Sequence, residues 1–182
     1  MIKTIEQARA FIRKEKVCTL FASSAKQPYP SLWDNVDLPD EKEPGEGGWP
    51  ERVSAIWTWK NRLPERYPDE IFYGKVKGGH AVLMDMGYLR QTHFKQAYRP
   101  AEQLSPLAQF LYDKVRLEPW ETAELRRFAL DDFGATKGQF DTALKNLQIS
   151  LNIARANDPA AEVDTWIAFS EAYQEIWAEH AG

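Results

Sequence analysis

The chain has 182 residues, 43% of them hydrophobic and seven of them tryptophan; this argues for a folded globular protein, not a disordered one, and is enough for one domain or two small ones. No run of 18 apolar residues occurs and residues 1–16 hold no uninterrupted apolar stretch, so neither a transmembrane helix nor a signal peptide is expected. The lone Cys18 excludes an intramolecular disulfide and suits a reducing, cytoplasmic compartment. The net charge of −4 is unevenly spread: residues 1–50 carry seven basic and eight acidic side chains, residues 51–100 nine and five, and residues 101–182 seven and fourteen. Six of those fourteen acids lie beyond Asn157. Duplex binding draws most of its affinity from phosphate neutralisation, so the acidic end weighs against tight binding.

From the N-terminus, Thr4 and Gln7 have capping-box spacing and open a helix that buries Ile5, Ala8 and Ile12. Residues 17–21 read as a short strand and residues 31–36 as a short helix after the Pro28 and Pro30 breaks. Residues 37–48 are the most loop-like stretch, rich in Pro, Gly and acid. Residues 49–63 return to helix, with Val53, Ile56, Trp57 and Trp59 as expected core. Residues 71–77 and 80–86 flank Gly78 and Gly79 as a β-hairpin, the glycines supplying positive φ. Residues 88–98 read as helix.

The most informative stretch is 104–169. A first helix carries Leu104, Leu107, Ala108, Leu111 and Val115 on one stripe; a second carries Leu125, Phe128 and Ala129. A third, opened by a Thr136/Gln139 capping box, carries Phe140, Ala143, Leu144 and Leu147. Ile149, Leu151 and Ile153 then alternate as a strand, 157–159 turns, and 165–169 returns. Helix, helix, helix, strand, strand is the outline of a winged helix-turn-helix, a fold whose third helix commonly enters the major groove. Residues from Ser170 onward form a C-terminal helix. No internal repeat is visible, although the first half, helix, helix, hairpin, is readable as a worn second winged helix.

No phosphate loop, Gly-x-Ser-x-Gly, Cys-x-x-Cys or His-Glu-x-x-His occurs. His80, His93 and His180 lack metal-ligand spacing and read as surface or structural groups. The Asp131–Asp132 and Glu121/Glu124 pairs sit near helix ends, where caps and solvated charges are the ordinary role. Glu41, Glu43 and Glu46 read as a solvated acidic stretch. On the third helix Lys137, Asp141, Thr142, Lys145 and Asn146 face away from the apolar stripe, with Arg126, Arg127 and Arg155 beside it; Lys, Arg and Asn contact phosphates and base edges, whereas Asp141 favours a plain solvated face. Trp49 and Trp59 flank Arg52, Lys60 and Arg62, a second basic patch suited to stacking and phosphate contact.

Residues 22–24 and 30–33, 56–64 (Ile-Trp-Thr-Trp-Lys-Asn-Arg-Leu-Pro), 72–76, 122–126 and 140–148 together resemble the small relatives of the AlkZ/YcaQ-type winged-helix DNA glycosylases, over roughly residues 4–178. The resemblance implies a winged-helix fold and affinity for nucleic acid. The glycosylases themselves are multi-domain enzymes that remove alkylated or crosslinked bases and depend on a Gln-x-Gln motif. None of the nine glutamines here has another two positions away, so the resemblance carries over no catalytic residue.

The expectation is an α+β protein: a C-terminal winged helix-turn-helix (residues 101–182) packed on a Trp-rich N-terminal helix and β-hairpin region (residues 1–100). The expected function is non-enzymatic, weak binding of duplex DNA through Lys137, Thr142, Lys145, Asn146, Arg126, Arg127 and Arg155, with Arg52, Lys60 and Arg62 as a second contact. The alternatives are a winged-helix protein-interaction module and a degenerate or partner-dependent glycosylase. No cofactor, metal or membrane partner is expected.

Overall fold

The computed structural model describes residues 1–22, 27–43, 45, 47–158 and 163–181. The protein is α+β, with two three-stranded sheets among the described residues. It divides into two compact units: Met1–Tyr73 with Ala81–Leu89, and Gly74–His80 with Arg90–Gly182.

In the first unit, α1 (Ile5–Glu15) starts at Thr4, whose hydroxyl accepts from the Gln7 amide at 3.3 Å. The Gln7 side chain reaches back one residue further than the capping-box pattern expects and accepts from the Lys3 amide at 2.7 Å. The helix ends at Lys16, in positive φ, and feeds β1 (Val17–Thr19). Ser31 caps α2 (Leu32–Asn35), and Pro50 precedes α3 (Glu51–Arg66). The hairpin strands β2 (Ile71–Val76) and β3 (His80–Asp85) follow, and the sheet order is β1-β3-β2, with Val17, Cys18 and Thr19 opposite Met84, Leu83 and Val82. The Gly78–Gly79 turn between β2 and β3, which belongs to the second unit, has the expected positive φ at both glycines, 93° and 83°. Ala8, Ile12, Cys18, Leu32, Ile56 and Leu63 are central to the core of this unit.

On α3 the buried stripe is Ile56, Trp59, Lys60 and Leu63. That phase corrects the expectation for Trp57, which lies 45% exposed, whereas Trp59 is buried at 7%. The spacing i, i+3, i+4, i+7 already held this answer, but its third member is a lysine, which hides the stripe from an apolar count.

After β3, α4 (Met86–Tyr88), a π turn (Leu89–His93) and α5 (Phe94–Ala97) form one interrupted helical segment. The second unit continues with a 3₁₀ turn (Ala101–Gln103) and α6 (Pro106–Val115), capped by Ser105. Then come β4 (Trp120–Glu121), α7 (Thr122–Arg127) with a π turn (Phe128–Asp132), α8 (Lys137–Ile149), β5 (Ile153–Arg155) and β6 (Thr165–Ala168). The capping box of α8 is complete: Thr136 Oγ1 accepts from Gln139 N at 3.2 Å, and Gln139 Oε1 accepts from Thr136 N at 2.8 Å. The strand expected from Ile149 begins only at Ile153, because α8 runs through Ile149 and Leu151 turns the chain at φ 57°. Of the turn expected at 157–159, residue 159 lies outside the described residues. The C-terminal helix is broken at Tyr173 into α9 (Phe169–Ala172) and α10 (Gln174–His180).

The second sheet has the order β4-β6-β5, and both of its pairings are antiparallel. The two units therefore share one plan: helix, strand, helix, helix, strand, strand, with the third strand in the middle of the sheet. The second core joins Leu107, Leu111, Leu125, Phe140, Leu144 and Leu147, with Phe128 packed against it. Three stripes that are apolar on one side each have found one another, as the periodicity requires.

Leu111 is fully buried where these stripes meet. Leu111→Ala is expected to lower the unfolding free energy by about 2–5 kcal/mol, measured by urea denaturation; a loss below about 1 kcal/mol contradicts this packing.

Candidate nucleic-acid interface

The cations expected to touch nucleic acid fall into distinct settings. In the second unit, Arg126 and Arg127 end α7. The Arg127 guanidinium lies 4.9 Å from the Phe128 ring centre and is exposed. Arg126 lies 5.4 Å from the Phe140 ring, with its Nε buried. A third cation joins them: Lys114 Nζ is 4.9 Å from Phe128 and 5.4 Å from Phe110. The Trp120 ring meets Phe128 edge-on at 4.9 Å and donates its indole N–H to the Lys114 carbonyl. Sequence reasoning missed Lys114; the available signal was Phe110 at i and Lys114 at i+4 in one helix. Cation–π contact holds such groups near an aromatic surface without neutralising them.

Lys137 opens α8 and is exposed, as is Thr142, while Asn146 is half-buried. Lys114, Arg126, Arg127 and Lys137 form no ion pair among the described residues. Arg126 and Arg127 end α7, Lys137 opens α8, and Lys114 of α6 reaches Phe128 in the segment between them.

Lys145 is placed differently. A Cβ built on Gly79 would meet Lys145 Cδ at 2.8 Å, so the hairpin turn lies on the stem of this lysine. Lys75 of β2 shares the region: burial pushes its ammonium below the ordinary lysine value, the Lys145 charge pushes the same way, and Asp164 and Asp141 oppose both. Arg155 is buried and pairs with Asp164 at 3.7 Å. Close by, burial pushes the Tyr173 phenol up to about 12, opposed by a hydrogen bond with Asn157 and the Arg155 charge. Arg155 is thus part of the interior and stands apart from the α7–α8 group.

In the first unit, Arg52 donates to the Leu38 carbonyl at 2.9 Å, pairs with Asp40 at 3.4 Å and lies over Trp33 at 5.0 Å. Lys60 is buried, its Nζ 4.4 Å from the Trp57 ring and 5.4 Å from Tyr73. Arg62 is exposed and has no ion pair among the described residues. Trp49, 72% exposed, lines a cleft of about 590 Å³ with three acids, Glu41, Glu43 and Glu51, and one base, Lys42, a lining with net negative charge.

A family model described as AlkZ related matches residues 2–163. The chain belongs to the AlkZ-related family. Neither a curated protein nor a solved structure matches it. In this AlkZ-related protein the matched span takes in both third helices and every cation of the α7–α8 group.

Among the described residues, no group of three or more His, Cys, Asp or Glu side chains is placed to hold a metal ion. Asp131, Asp132 and Glu121 are exposed, and Glu124 is half-buried. His180 Nε2 is 2.8 Å from the Arg90 carbonyl oxygen, and burial pushes His93 below the ordinary histidine value. No described helix is long and apolar enough to cross a membrane.

Cys18 is fully buried, and burial pushes its thiol from an ordinary value near 9 up to about 12. The folded chain keeps this proton in a range where the unfolded chain releases it, so the unfolding free energy should fall as pH rises between about 9 and 12. At pH 8 the thiol should resist a disulfide reagent until denaturant is added. Rapid labelling of the native protein at pH 8 would contradict that burial.

Proposed function

We propose that this AlkZ-related protein binds duplex DNA without excising bases, and that each unit acts as a winged helix. The observation that carries the reading is the group at the α7–α8 joint: among the described residues, Lys114, Arg126, Arg127 and Lys137 escape the ion pairing that occupies Arg52 and Arg155. In a helix-turn-helix, this joint and the start of the third helix approach the backbone and groove. Family membership adds to it, because the resemblance implies nucleic-acid affinity. The absent Gln-x-Gln pair argues against excision.

The chain carries a net charge of −4, so binding is expected to be weak, on the order of 10⁻⁴–10⁻⁶ M at physiological salt. Arg127→Ala combined with Lys137→Ala should reduce the slope of log affinity against log salt by about 1.8, at about 0.9 per lost phosphate contact. An unchanged affinity and slope would remove the α7–α8 joint from the interface. On duplex carrying 3-methyladenine or 7-methylguanine, the protein alone should produce no abasic sites at an enzymatic rate; robust release establishes the glycosylase alternative.

A second reading, a protein-interaction module, draws on Leu117, Leu130 and Phe133, which lie 77%, 37% and 42% exposed in the second unit. Failure of the wild type to bind duplex even at low salt favours it.

A further inference from the structure

The α8 helix holds the third-helix position of the second unit, and α3 holds the same position in the first. Their burial runs in the same phase. Ile56 matches Phe140 as buried, Trp57 and Thr58 match Asp141 and Thr142 as exposed, Trp59 and Lys60 match Ala143 and Leu144 as buried, and Leu63 matches Leu147 as buried. The two helices part at the next outward pair: Asn61 and Arg62 are exposed, whereas Lys145 and Asn146 are only half-exposed. The close approach of Gly79 to the Lys145 stem accounts for the covering of Lys145.

We propose that α3, and not α8, is the helix that reads base edges, presenting Thr58, Asn61 and Arg62 to the major groove of duplex DNA. This rests on the duplex-binding function proposed above. Positions 58, 61 and 62 stand at i, i+3 and i+4 and so share one helix face. Their side chains match the chemistry of the groove: Asn pairs with adenine N6 and N7, Arg with guanine O6 and N7, and Thr with either. The rise from 58 to 62 is about 6 Å, about that of two stacked base pairs at 3.4 Å each, so the reading should span two adjacent pairs. Arg62 forms no ion pair among the described residues and brings the positive charge that phosphate and guanine attract. On α8 the corresponding positions are Thr142, Lys145 and Asn146; of these Lys145 supports the hairpin turn and Asn146 is half-buried. The α7–α8 cations then serve as backbone contacts that fix orientation without carrying sequence information.

The test selects duplexes from a random library with the wild-type protein, then measures affinity by fluorescence anisotropy on the best duplex and on a scrambled one. The variants are Asn61→Ala, Arg62→Ala and Lys145→Ala, each with its melting curve recorded. Asn61→Ala should lower affinity for the selected duplex about 5- to 150-fold and leave the scrambled duplex unchanged. Arg62→Ala should weaken binding to both and reduce the salt slope by about 0.9. Lys145→Ala should leave the preference intact. Wild-type behaviour of the two α3 variants, or enrichment of no sequence, overturns the inference; so does loss of preference in Lys145→Ala instead. If Arg127→Ala/Lys137→Ala loses affinity while the α3 variants do not, duplex binding stands and only the assignment of α3 falls. No wild-type binding at low salt overturns both.

Discussion

Each unit depends on the inward stripe of its third helix. Ile56, Trp59 and Leu63 on α3, and Phe140, Ala143, Leu144 and Leu147 on α8, lie in the two cores. Once a stripe at i, i+3, i+4 and i+7 is buried, every other side chain on that helix has its direction fixed. A helix of 13 or 16 residues carries enough such positions that sliding by one residue would bury Asp141 or Arg62 and expose Leu147 or Leu63. The outward faces on which a ligand would act are therefore a by-product of core packing.

That constraint separates cations that are spent from cations that are available. Arg52 and Arg155 satisfy carboxylates of their own units, and Lys60 sits under aromatic rings. Arg126, Arg127 and Lys114 are held by Phe140, Phe128 and Phe110, whose ring faces orient a positive charge without cancelling it. In a protein with more acids than bases, the difference between an ion pair and a ring contact decides which part of the surface keeps a positive potential.

Much of the architecture was legible in the sequence because it follows from periodicity and capping. The Thr136/Gln139 box, the α8 stripe and the Gly78–Gly79 turn all stand where local rules place them. What escaped was short or masked by chemistry. The strand β4 is two residues long, too short for any alternation to register. Lys60 interrupts the α3 stripe and hides its phase, so that Trp57, expected in the core, is exposed while Trp59 is buried as expected. Leu151 in positive φ ended an alternation that had seemed to begin at Ile149. The likeness of the two units was legible only as a coarse helix, helix, hairpin order, because burial phase and strand order repeat while side-chain identity does not; Thr58 and Thr142 are the only identical outward pair in the matched stretch.

The segments Leu89–His93 and Phe128–Asp132 are both wound as π turns, wider than an α-helix. In the second, the Phe133 amide donates to the Phe128 carbonyl at 3.2 Å, a ring that spans five residues where an α-helix spans four. The loop thus stores one surplus residue inside a helix. Losing one residue from 128–132 would let the helix revert to regular winding while Leu125 and Phe140, on either side, keep their places in the core. Chains of this family that differ by a single residue should therefore take up the difference here, and the side chains they rotate would be those of Asp131 and Asp132, out in the solvent.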